Sequence, residues 1–214
     1  MSFLQLSLTA SYLILVKAIK HFSTVEKVDI ISMTFGFPQL EPSLEGLNRA
    51  LLDAHAADIV LFAAGHNSGG RERVSFPANQ DHVICIGACD GLNNPSRFNP
   101  SPIHNMFCTL GENIVTAWQI TDSLSKSGTS YATPIAAGIA AILMDWMTHE
   151  SRSWSHEDQR HSRKVKTKKG IVKIFEKRLS KERHGYRVLS PWKVFDEQNM
   201  GNAKGVLLDV LMNM

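Results

Sequence analysis

No apolar run near the start of this chain is long enough to cross a bilayer. The longest there, Leu13 to Val16, is bounded by Ser11, Tyr12 and Lys17, whereas a spanning helix needs about 20 consecutive apolar residues. No basic segment precedes that run, so no targeting signal is assigned. Cysteine is scarce. Cys85, Cys89 and Cys108 form no Cys-x-x-Cys pair, and any pairing leaves one over. They read as buried thiols of a reducing compartment, which favours the cytoplasm. Internal repeats and low-complexity tracts are absent, and nothing implies a metal or a cofactor. With 43% hydrophobic and 20% charged residues over 214 positions, the composition excludes a disordered chain and a membrane protein. It fits a soluble globular protein with one substantial core, or a core and an appendage.

Each part of the chain is short of charge of one sign, and the sign changes along the sequence. Residues 1–150 hold eight Lys/Arg against thirteen Asp/Glu, a net of −5, and residues 151–190 hold thirteen against four, a net of +9. A compositional boundary therefore falls near residue 150. Before it, strand and helix signals alternate. VDIISMTF (28–35), IVLFAAG (59–65) and HVICIGACD (82–90) are β-branched or apolar runs of buried-strand type. Between the first two, SLEGLNRALLDAHAA (43–57) spaces Leu44, Leu47, Leu51 and Leu52 near the helical period, after Pro42. This alternation predicts an α/β fold with a mainly parallel sheet and right-handed crossovers.

Ligands on such sheets sit beyond the carboxyl ends of the strands. That edge collects Thr34, Phe35 and Gly36 from the first strand, and Gly65, His66 and Asn67 from the second. The stretch KSGTSYATPIAAGIAAIL (126–143) should open a helix at the same edge, with Ser130 at its N-terminus. Free backbone N–H groups and the helix dipole favour negative charge there, which suits a hydroxyl that must become an anionic adduct. Gly128 and Ala132 leave room for a turn and a substrate chain. Ala136, Ala137, Gly138 and Ala140 let the helix pack closely on the sheet, and Pro134 is expected in its first turn.

The run SGTSYATPIAAGIAA resembles the nucleophile motif of the subtilisin-like serine proteases, Gly-Thr-Ser-x-Ala-[Ser/Thr]-Pro followed by a small-residue helix. VDIISMTFG is similar to the strand forming one wall of that family's substrate cleft, and FAAGHNSGG to the strand end carrying its oxyanion asparagine. The resemblance covers roughly residues 14–148. ISMTFGFP, FPA at 76–78 and FNPS at 98–101 look most like intracellular fungal members. It implies a three-layer subtilisin-like fold and a serine endopeptidase acting on peptide or protein substrates. Ser130 would be the nucleophile, and Asn67 would donate its amide to the oxyanion beside the Ser130 N–H. Thr34, Phe35 and Gly36 on one side, with Ala64 and Gly65 on the other, would line the pocket for the substrate side chain. His66 departs from the small residue usual before the asparagine.

The family orders its triad Asp, His, Ser, in Asp-[Thr/Ser]-Gly and His-Gly-Thr-His settings, and neither motif occurs here. The histidines before Asn67 are His21, His55 and His66, and the aspartates Asp29, Asp53 and Asp58; none has the required neighbours. The expectation is a catalytic domain without its amino-terminal part, inactive as an isolated chain and completed by a missing half or a neighbouring domain. The alternative is a non-catalytic remnant that binds peptide or nucleic acid. Residues 151–214 form a basic carboxyl-terminal extension, with Val165, Ile171, Ile174, Phe175 and Leu179 predicting one amphipathic helix that ends near Gly185. Packing of that helix on the protease domain is preferred over nucleic-acid or acidic-membrane binding.

Overall fold

A computed structural model describes residues 3–70, 72–118, 122–195 and 200–214. A long first helix, α1 (Phe3–His21), precedes β1 (Ile30–Met33). One tight turn at Pro42–Leu44 then leads into α2 (Glu45–Ala56). Next come β2 (Val60–Ala64), β3 (Ile84–Cys89) and β4 (Met106–Leu110), and the antiparallel pair β5 (Ile114–Trp118) and β6 (Asp122–Lys126). Helix α3 (Thr129–Glu150) follows, with α4 (His156–Ser162) and α5 (Lys168–Ile174) beyond it. The chain ends with β7 (Ser180–Arg183), β8 (Tyr186–Leu189), α6 (Trp192–Phe195) and α7 (Ala203–Met212). The three expected strands lie side by side and parallel, in the sheet order β1-β2-β3-β4-β8-β7. Among the described residues no helix is long and apolar enough to cross a membrane.

The period-2 alternation of the buried strands divides the protein into three layers. Val60, Phe62, Ile84, Ile86 and Phe107 face α3 and the carboxyl-terminal helices, meeting Ala136, Ala140, Leu143, Ile171, Phe175 and Leu207. Leu61, Ala63, Cys85, Cys89 and Cys108 face the other way, onto Leu47, Ala50, Leu51 and Ala54 of α2 and Ile19 of α1. Ala136 and Ala140 are fully buried, so their small size sets how closely α3 approaches the sheet. All three cysteines are free. Burial pushes the Cys85 thiol up to about 12 and, with Asp90 and Glu112 nearby, Cys89 to about 12; burial, aided by Cys89 and Cys85, also holds the Cys108 thiol well above the ordinary thiol range.

The segment after residue 150 differs from the single helix expected to end near Gly185. Helix α5 stops at Ile174, a widened turn runs over Phe175–Leu179, and a hairpin follows. His184 and Gly185 form its two-residue loop at φ 50° and 81°, the left-handed pair that matches strand twist in a tight hairpin. β8 then joins the main sheet parallel to β4, with Phe107 opposite Arg187 and Cys108 opposite Val188. The five apolar residues of the expected helix are all buried in the core shared with the sheet. Many of the basic residues bind internally. Lys166 pairs with Asp29 at 3.1 Å, Lys168 donates to the Asp81 carbonyl, Arg183 to the Leu92 carbonyl and Arg187 to the His104 carbonyl.

Candidate active site

Three chain segments converge beyond the carboxyl ends of β1 and β2. After β1 the chain runs through Thr34, Phe35 and Gly36 to Phe37, which exchanges two backbone hydrogen bonds with Phe76 at 2.7 and 2.8 Å. A Cβ on Gly36 would sit 2.8 Å from the Ser75 hydroxyl, so a larger residue there would have to displace Ser75. Ser75 in turn donates from its hydroxyl to the Gly65 carbonyl at 2.9 Å. β2 delivers Ala64 to the cleft, while Gly65 lies behind the wall, its N–H bonded to the Ile86 carbonyl at 2.9 Å. The third segment is the start of α3. Gly128 is anchored by its N–H on the Gly111 carbonyl at 2.8 Å and adopts φ 157°, ψ 157°, a combination nearly confined to glycine.

The contact that organises the site spans 62 residues of sequence. The Thr129 N–H donates to Asn67 Oδ1 at 2.9 Å, which fixes the amide so that its Nδ2 faces away from that bond. A Cβ on Gly128 would press on Asn67 Nδ2 at 3.3 Å. The Ser130 hydroxyl donates to the Thr34 carbonyl at 3.4 Å, and its N–H lies in the first turn of α3, where N–H groups have no intrahelical partner. Pro134 is the sixth helical residue rather than part of the first turn, so it has no N–H to offer the carbonyl of Ser130 four residues back. Together Thr34, Phe35, Gly36, Ala64, Asn67 and Ser130 line a cleft of about 320 Å³, with His66, Phe37, Ser75 and Thr129.

The upstream histidines each contact residues other than Ser130. His66 accepts the Ser68 N–H on Nδ1 at 3.0 Å, and its Nε2 lies 3.3 Å from Glu72 Oε2, so both ring nitrogens are engaged. His21 pairs with Glu26 at 3.3 Å. His55, in the last turn of α2, packs on His82 with ring centroids 6.0 Å apart, at the amino edge of the sheet. Asp29 holds Lys166 and Asp53 holds Arg49 at 3.2 Å; Asp58 occupies a left-handed turn position at φ 61°. Sequence reasoning missed Thr129, Ser75 and Phe37 as parts of the cleft. Only their adjacency to Ser130, Phe76 and Gly36 could have signalled them.

A mainly parallel sheet between helical layers, with a serine opening the central helix beside an asparagine at a strand end, defines a subtilisin-like architecture. The subtilase family profile matches residues 5–173, and the chain belongs to that family. Subtilisin DY of Bacillus licheniformis is 30% identical over 126 residues, covering 58% of this chain and 45% of that protein. The intracellular serine protease of Paenibacillus polymyxa is 33% identical over 127 residues, covering 58% of this chain and 38% of that one. Among solved structures, the prenylagaramide maturation protease PagA superposes with a TM-score of 0.67 at 20% identity, covering 94% of this chain and 68% of its own. The match thus spans less than half the length of these two curated relatives, and both are bacterial.

Proposed function

We propose that this chain carries the nucleophile, the oxyanion donors and the side-chain pocket of a subtilisin-type serine endopeptidase centre, and that alone it does not turn over. The observation carrying this reading is the 2.9 Å bond from the Thr129 N–H to Asn67 Oδ1, which holds the asparagine amide beside Ser130. In the reaction Ser130 Oγ attacks a peptide carbonyl, whose oxygen gathers charge between Asn67 Nδ2 and the Ser130 N–H. Such a donor contributes roughly 10²- to 10³-fold in turnover, a value taken from a subtilisin and not from this chain. Thr34, Phe35, Gly36 and Ala64, backed by Gly65, bind the residue before the scissile bond. Attack also requires a base to take the Ser130 proton, and the engaged nitrogens of His66 support its absence. Loss of a triad member leaves only about 10³–10⁴ of rate over water.

Residues 1–150 are read as a partial catalytic domain and 151–214 as a basic extension covering one of its faces. A second segment bearing the aspartate and histidine is the complementing partner, and a peptide or protein the substrate. Internal bonding of Lys166, Lys168, Arg183 and Arg187 supports packing over nucleic-acid binding. The free, buried thiols support a reducing, cytoplasmic compartment. The test mixes this chain with an amino-terminal subtilase segment carrying both residues and follows hydrolysis of a fluorogenic peptide. Hydrolysis is expected only in the mixture and is abolished by Ser130→Ala; a mixture that folds together yet never cleaves would refute the endopeptidase reading.

A further inference from the structure

We infer that the free edge of β1 pairs with the same edge of a second copy, making this chain a two-fold dimer with one continuous sheet. β1 has no outer partner among the described residues. The Asp29 carbonyl accepts the Val60 N–H at 3.0 Å, and Ile30 stands opposite Val60. By alternation Ile31 and Met33 turn their backbone groups to β2, while Ile30 and Ser32 turn theirs outward. Sheets commonly blunt such an edge with charge, proline or a bulge. Here the run from Ile30 to Phe37 contains neither a charged residue nor a proline. Ile30 is only half-buried against the α3 layer and Ile31 against the α2 layer, so both faces of the edge present apolar surface.

Charge and hydrogen bonding select a second copy as the occupant and set its direction. An antiparallel pair of identical edges matches donors to acceptors and closes on a two-fold axis, whereas parallel bonding is staggered and asymmetric. Ile30 then exchanges both backbone bonds with Ser32 of the second copy, and symmetry repeats the exchange. This register leaves out Thr34, whose carbonyl already accepts from the Ser130 hydroxyl at 3.4 Å. The strip itself is uncharged. At its amino end Asp29 is neutralised by Lys166 at 3.1 Å, and Asp145 borders the same groove. The antiparallel register holds the two Asp29 residues about 13 Å apart along the strands, beyond a Debye length of about 10 Å; a parallel dimer would set them side by side. The axis stands perpendicular to the sheet and keeps both α3 helices on one side. Ile142, 64% exposed and next to the groove residue Ala141, adjoins the second copy there.

The test is sedimentation velocity of the chain from about 1 to 100 μM, the range in which a small interface populates, with amide exchange read at both ends. A monomer–dimer equilibrium is expected. The Ile30 and Ser32 amides should be protected at high concentration and exchange at least about tenfold faster on dilution. Ser32→Lys places a charge on the exposed edge and should weaken dimerisation at least about tenfold, leaving the melting temperature of the dilute monomer unchanged. Ser32→Pro removes an outward N–H alone and should act in the same direction; if that variant fails to fold, Ser32→Lys carries the test. Self-pairing needs nothing from Ser130, so it fails or holds separately from the endopeptidase reading. A monomer throughout, a dimer that survives Ser32→Lys, or association that leaves the Ile30 and Ser32 amides unprotected overturns the inference. Growth beyond the dimer overturns it too, because the two-fold pairing uses up the edge.

Discussion

At the scale of single residues, the site depends on a glycine that few side chains could replace. Gly128 combines φ 157° with a Cβ position 3.3 Å from Asn67 Nδ2, so Gly128→Ala strains the backbone and displaces the amide at once. A destabilisation of about 1–3 kcal/mol is expected, measured by denaturant melting, with a larger relative loss of cleavage in the complemented mixture. A second residue-scale effect lies far from Ser130. Burial, then the charge of Lys168, holds His55 below the ordinary histidine range, and burial, His55 and Lys168 do so for His82; Asp58 and Asp81 oppose them. The unfolded chain therefore takes up protons more readily than the folded one. The stability due to neutral imidazoles is complete above about pH 6.5 and is lost as pH falls through the lowered folded values. Melting temperature should drop between pH 7.5 and 5, and less so in a His55→Gln, His82→Gln variant.

At the scale of elements, the hairpin of β7 and β8 is the part most sensitive to one position. Gly185 at φ 81° closes a loop that β-branched residues cannot close, so Gly185→Val should cost at least about 1 kcal/mol and speed amide exchange in β8. Strands β1 to β3 and helix α2 were legible in the sequence because buried parallel strands read as apolar runs, and α2 carries its leucines at helical spacing after Pro42. The cleft was legible from the same rule, since two strand ends and a helix start were known to share an edge. The hairpin was not: Val165 to Leu179 does follow a helical period, but the structure spends it on a broken helix. The His184-Gly185 turn is a two-residue signal that the surrounding charges obscured. Likewise Thr129 and Ser75 act through tertiary contacts to Asn67 and Gly65, which no local pattern encodes.

At the scale of the whole molecule, two cores share one sheet, and the carboxyl-terminal segment completes the larger of them, with Phe175 against Phe107 at 5.3 Å and Phe62 at 6.4 Å. β1 ends the sheet on its other side with no outer partner among the described residues. Beside it Val28, Ile30, Ala141 and Met144 border a groove of about 460 Å³. An open strand edge is a template for further pairing, and it flanks the cleft that holds Ser130. In the proposed reading the molecule combines an oxyanion site with a nucleophile that its own side chains do not activate. The most direct measurement is the rate at which a fluorophosphonate, which labels activated serines, reacts with Ser130 in the isolated chain. The expected rate is no greater than that of a surface serine, because the adduct still requires a proton acceptor. Rapid labelling that disappears in both Ser130→Ala and His66→Ala would contradict this, establishing His66 as a working base.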